Sequence, residues 1–212
     1  AMSTLQRTLI LARLVRKKDP DLSADMAVGL AEELGKLMDR IHTEGLDFAD
    51  LPKLVDNEKL ARHWQITLDF LTILSERWPE ILAEQGRIDS ADRRNRLMNV
   101  LSKWYKTARP NEITIAAGTS GSIPATANLL NVIADLPNGH VVLPGLDKHL
   151  DDESWDVIGP AHPQYTLKQL IERLGISRKD ITFWGRARDQ GPRNMLATEM
   201  MRPAETLDRW AD

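Results

Sequence analysis

Hydrophobic positions in the first half of the chain recur every three or four residues, the period of helices that bury one face. Leu5, Leu9, Leu11, Ala12, Leu14 and Val15 form a first stripe, closed by Arg16, Lys17 and Lys18, whose charges suit a helix C-terminus, and by Pro20. Ser23 is placed to cap a second helix with Met26, Leu30, Leu34, Leu37, Met38 and Ile41 on one face. Gly45 ends it, and residues 47–52 make a polar connection. A third stripe, Leu60, Trp64, Leu68, Leu71 and Trp78, is widened by Phe70, Ile73 and Leu74 and reads as core. Asp89 or Ser90 opens a fourth helix with Leu97, Val100, Leu101 and Trp104 on its apolar side. The same helix carries Arg93, Arg94, Arg96, Lys103 and Lys106, the densest basic surface of the chain. Such a surface is a solvated face by default and a phosphate-contacting face in the sharper alternative.

At Arg109, Pro110 and Asn111 the pattern changes from helical stripes to short β-branched runs and glycines. Residues 113–115 read as a strand, followed by Ala116, Ala117 and a turn rich in Gly, Ser and Thr. Pro124 suits the first turn of a helix on which Leu129, Leu130, Val132, Ile133 and Leu136 recur, and Pro137, Asn138 and Gly139 stop it. His140 to Leu143 reads as a second buried strand, so the stretch predicts a βαβ unit with parallel strands and a right-handed crossover. Residues 181–185 read as a third strand. Short helices are expected around Trp155, over 165–174 with Thr166 as cap and Gly175 as stop, over 194–201, and from Pro203 onward. The expected architecture is α/β: a helical subdomain over 1–110 and a small parallel-sheet subdomain over 111–212.

Composition narrows the classes. The 212 residues are 42% hydrophobic and 28% charged, with a formal net charge of −3 and no Cys. That describes a globular chain without disulfides or thiolate metal sites, in keeping with the cytoplasm. No apolar run is long enough to span a membrane. The five His show no zinc-binding spacing. Asp151, Asp152 and Glu153 could hold a metal, although carboxylates are also favoured at a helix N-terminus.

The turn after the first strand fails each phosphate or hydrolase motif. A P-loop needs a Lys and wider glycine spacing than Gly118 and Gly121 provide. Gly118-Thr119-Ser120-Gly121-Ser122 has Ser where a nucleophile elbow needs its second Gly, and the dinucleotide fingerprint is absent. What remains is a set of backbone N–H groups and hydroxyls at Thr119, Ser120, Gly121 and Ser122, able to greet an anion or DNA phosphate. The simpler alternative is a tight turn whose glycines let the chain reverse. No nucleophile–base pair is identified by spacing, so no catalytic residue, metal ligand or cofactor is assigned.

The segments ITIAAGTSGSIPATANLL, HVVLPGLD and HPQYTLKQLIERLGI, with TLILARLV, EGLDFADL, HWQITLDFLTILSERWPEILAEQGRID and RRNRL before them, resemble the AddB subunit of bacterial AddAB helicase–nucleases, in particular its alphaproteobacterial branch. The resemblance spans essentially the whole chain. It implies a superfamily 1 helicase-like fold with decayed ATPase motifs, the helical part corresponding to a 1B-like subdomain and the remainder to part of the helicase core. It further implies a role in double-strand break repair and recombination, with an AddA-like subunit and DNA as partners. In an active helicase of that superfamily the corresponding strand ends in Asp and Glu. Here it ends in Ala116, Ala117 and Gly118, and the nuclease domain would lie beyond Asp212. The expected function is therefore a catalytically inactive, DNA- and partner-positioning scaffold. The alternative is a small α/β enzyme using Thr119, Ser120, Gly121 and Ser122 on a phosphorylated or acyl substrate.

Overall fold

A computed structural model describes residues 1–48, 71–184 and 191–211. The chain divides into two compact units, Ala1–Asn99 and Val100–Asp212, a division inside a helix and earlier than the change of sequence pattern at residue 110. Among the described residues no helix is long and apolar enough to cross a membrane.

The first unit is helical throughout its described elements. Helix α1 spans Thr4–Lys18 and α2 spans Ala24–Glu44; Ser3 and Ser23 cap them by accepting from the backbone N–H groups of Gln6 and Met26. Leu11, Val15, Leu34 and Met38 are buried as the stripes predict and are joined by Ala27 and Ala31, whereas Leu5, Leu9 and Met26 of those stripes are exposed. Arg7 bridges α1 to α2 by donating to both oxygens of Asp39, at 2.6 and 2.7 Å. Leu60, Trp64, Leu68 and Phe70 of the third stripe lie outside the described residues, but Leu71, Ile73, Leu74 and Trp78 join the same core.

That third helix widens before it continues. Residues Ile73–Arg77 form a π-turn in which the Trp78 N–H reaches back to the Ile73 carbonyl, and α3 follows over Trp78–Glu84. Pro79 supplies the reason. It has no N–H to give and would crowd a carbonyl one turn earlier, so the helix opens where the bond is missing. Trp78 is thereby fully buried, and its indole N–H donates to Asp89 Oδ2 at 2.7 Å.

Helix α4 spans Ser90–Ala108. The Asp89 carbonyl accepts from Arg93 N–H, but its carboxylate turns inward instead of capping the helix. It faces Arg7 at 3.7 Å and His42 at 3.8 Å. Leu97, Val100, Leu101 and Trp104, expected to be covered, are exposed.

The second unit contains the predicted βαβ element. Strand β1 (Thr114–Ala117) and strand β2 (Gly139–Val142) pair in parallel, Ile115 opposite His140, through helix α5 (Pro124–Ala134). Ala116 and Val141 face the helices and pack on Ala127 and Leu130 of α5 and on Leu170. Leu170 belongs to α7 (Tyr165–Leu174), which follows the short helix α6 (Asp152–Asp156). At Gly139 a side chain would be impossible, because a Cβ would lie 1.8 Å from the Ile133 carbonyl oxygen. The return from α5 into β2 is that tight. Helix α8 (Gly191–Met200) and a 3-10 segment (Ala204–Ala211) complete the chain.

Two sequence expectations are corrected here. Residues 181–184 do not form a third strand. The Ile181 N–H closes a 3-10 turn onto the Arg178 carbonyl, and its carbonyl accepts from Lys148 Nζ, so the backbone is engaged elsewhere. Phe183 and Trp184 are exposed. The S-x-x-D pattern of Ser177 and Asp180, a capping box here, was the legible sign of that turn. Nor does Thr166 cap α7; Gln164 holds the cap position without a side-chain bond, while Gly175 ends the helix as expected.

Burial alone would raise the Asp89 pKa, but the nearby His42, the hydrogen bond from Trp78 and the charge of Arg7 outweigh it and hold the carboxyl below its ordinary value. A depressed carboxyl stabilises fully above the unfolded value of about 3.9, and that stabilisation fades as pH falls through the folded value. Asp89→Ala is expected to lower stability at pH 7 by about 1–3 kcal/mol, because the indole N–H of Trp78 is left buried without an acceptor. Urea unfolding at pH 7 and at pH 3 checks it: the gap between variant and wild type should narrow in acid.

Candidate functional site

The turn after β1 stands at the C-terminal end of the parallel strand pair, the end where open α/β sheets hold their ligands. Its glycines take left-handed backbone angles, φ 81° at Gly118 and 65° at Gly121. Thr119 Oγ1 accepts the Gly121 N–H at 3.2 Å, a bond internal to the turn. Helix α5 begins with Pro124 after Ile123, with no side-chain cap and no charged residue in its first turn. Gly121 is buried, and a Cβ there would meet the Leu170 methyls at 3.0 and 3.1 Å and Leu130 at 3.3 Å. Packing of α7 against the turn therefore accounts for this glycine without any ligand. Ser120 is half-buried and Ser122 exposed, and neither hydroxyl has a hydrogen-bond partner among the described residues. Among the described residues no general base is hydrogen-bonded to either hydroxyl.

The basic helix is divided by burial. Arg93, Arg96, Lys103 and Lys106 are exposed, with Arg96 paired to Asp92 at 2.8 Å. Arg94 is not part of that surface. Its guanidinium turns toward the end of α2 and donates to Thr43 Oγ1 at 2.8 Å. Asn95 beside it donates to the His42 carbonyl. Period alone could not show this, since Arg94 lies about 100° around the helix from Arg93.

A crevice of about 320 Å³ opens beyond β2, lined among others by Asp147, His149, His162, Gln164, Asn194 and Thr198. Most of its polar groups are engaged with one another. Asp147 accepts from the His149 and Leu150 N–H groups through one oxygen and from Thr198 through the other. Gln164 accepts from Asp147 N–H and donates to the Gly145 carbonyl. His162 uses both ring nitrogens, on Gln164 N–H and the Met201 carbonyl. These bonds tie the β2–α6 loop to α7 and α8. A second, apolar groove of about 760 Å³ runs over the open side of the sheet, between Ile113, Ile115 and Val142 and the residues Ile176, Ile181, Phe183 and Trp184.

The acidic run does structural work. Asp151 caps α6 by accepting from Ser154 N–H, and Arg202 donates to its other oxygen at 2.5 Å. Arg202, aided by Ser154, holds Asp151 well below the usual carboxylate range. Glu199 and Asp151 together push the Arg202 guanidinium up. Ser154, fully buried, exchanges a hydrogen bond of 2.8 Å with Thr206. Asp152 is held low by Lys179 and Arg178, and Arg178 also lies over the Trp155 ring at 4.6 Å. Among the described residues no group of three His, Asp or Glu side chains could hold a metal ion. The partners Arg178 and Arg202 sit 26 and 51 residues from their carboxylates, a distance at which sequence gives no signal.

No family model matches this chain, and neither a curated protein nor a solved structure does so significantly.

The geometry makes the turn's glycine, not its hydroxyls, the sensitive position. Gly121→Ala is expected to destabilise the protein by more than about 1 kcal/mol, since it adds a methyl against Leu170 at a positive φ. Ser120→Ala and Ser122→Ala should stay within about 0.5 kcal/mol of wild type. Thermal unfolding of the three variants separates a packed turn from one shaped for a ligand.

Proposed function

We propose that this chain is a helicase-like module of an AddB-type subunit, without catalysis of its own, that helps position DNA and an AddA-like partner during end resection. The β1–α5–β2 element supplies a nucleotide-binding framework, part of a three-layer helicase core in this reading, from which the phosphate chemistry is missing. The observation that carries the reading is the end of β1. There Ala116, Ala117 and Gly118 stand where a motor would place a magnesium carboxylate and a water-orienting carboxylate. The adjoining turn has no Lys and no Arg. Backbone N–H groups at an exposed helix N-terminus contribute about 0.3–1 kcal/mol toward an anion, far short of the roughly 8 kcal/mol of micromolar affinity. The enzyme alternative is weaker, because among the described residues no base is hydrogen-bonded to the hydroxyl of Ser120 or Ser122.

Mg-ATP titrated by calorimetry should give no micromolar binding, and phosphate release should equal a no-protein control; turnover or tight binding would end this reading. DNA contact, if supplied by α4, comes from Arg93, Arg96, Lys103 and Lys106. In anisotropy titrations with forked DNA, binding should weaken steeply with salt. Changing these four residues to Glu should abolish it, whereas Arg94→Gln should affect stability more than affinity.

A further inference from the structure

We propose that Asn138 is a site of spontaneous deamidation that the closed β1–β2 pair suppresses and local opening releases, a one-way latch on this strand pair. Asn138 is the only Asn in the sequence that is followed by Gly. The following residue governs the reaction, because its backbone nitrogen is the nucleophile and glycine has no Cβ to hinder the approach. In this fold that glycine cannot be exchanged for a slower residue, since a Cβ at position 139 would lie 1.8 Å from the Ile133 carbonyl oxygen. The tight return from α5 into β2 therefore brings the reactive pair with it. Asn138 is exposed, so water and hydroxide reach it.

In the reaction the Gly139 nitrogen gives its proton to hydroxide and attacks Asn138 Cγ. The Cγ–Nδ2 bond breaks, and the nitrogen takes a proton from water and leaves as ammonia. Water then opens the succinimide at one of its two carbonyls, leaving aspartate or isoaspartate. The closed pair holds each participating group. Asn138 Nδ2 donates to the Asn111 carbonyl at 2.6 Å, and the Gly139 N–H donates to the Leu136 carbonyl at 3.2 Å. The Asn138 carbonyl accepts from Thr114 N–H at 3.0 Å. Ring closure must break the first two bonds and turn the peptide that makes the third, so it waits for local opening. Neither product restores the closed arrangement. A carboxylate at 138 has no donor for the Asn111 carbonyl and sets oxygen against oxygen. Isoaspartate lengthens the main chain by one carbon just before Gly139, which takes β2 out of register with Thr114.

Ageing the whole chain at mildly alkaline pH, in native buffer and in urea, tests this, with peptide mass spectrometry following amide-to-acid conversion at each Asn. In urea Asn138 should convert ahead of every other Asn, and in native buffer its conversion should be about tenfold slower or more. Wild type aged in urea and returned to native buffer should melt at a lower midpoint than wild type unfolded only briefly. Asn138→Gln keeps a carboxamide but would need a larger ring, so the same ageing should leave its midpoint unchanged. Equal rates at Asn138 in native buffer and in urea overturn the inference, as does faster conversion of another Asn in urea. A converted wild type that regains its full midpoint overturns the latch equally.

Discussion

The contact between α7 and the turn after β1 governs what the second unit can do. Leu170 presses its methyls into the space a side chain at position 121 would fill, with Leu130 completing the enclosure. A phosphate-binding loop needs room for the ligand and N–H groups aimed at it. Here one of those N–H groups is already given to Thr119, and the volume beside the chain is hydrocarbon. The same packing seats α5 and α7 together on one side of the sheet.

Charge in this protein is likewise directed inward, toward holding elements together. Arg7 joins α1 to α2, Arg178 covers Trp155 and Arg202 gathers Asp151, Glu199 and Ser154. Arg suits these places because its planar fork satisfies several acceptors at once.

Helical stripes, caps at Ser23 and Gly45, and the parallel βαβ unit were legible because each rests on local period and turn chemistry. Leu11, Val15, Leu34 and Met38 are buried as their spacing required. The failures have equally physical causes. Ile181, Phe183 and Trp184 have strand-like composition, but their neighbours supply hydrogen bonds that compete with a ladder. Arg94 looked like its exposed neighbours until Thr43 gave it a partner 51 residues away. At the candidate site, the absence of Lys and carboxylate could be read directly, whereas the reason for Gly121 needed Leu170, forty-nine residues distant.

The π-turn at Ile73–Arg77 bears on how this chain tolerates change in length. It carries one residue more than an α-helical turn would need between Ile73 and Trp78. Deleting that residue would regularise the backbone and leave the downstream phase nearly unchanged, whereas straightening the turn with every residue kept would rotate everything downstream by about 100°. Trp78 would swing from Asp89 toward water, and the buried carboxylate would lose its indole. Irregularity here is a phase setting: the helix is locally imperfect so that two distant stretches of the stripe share one core.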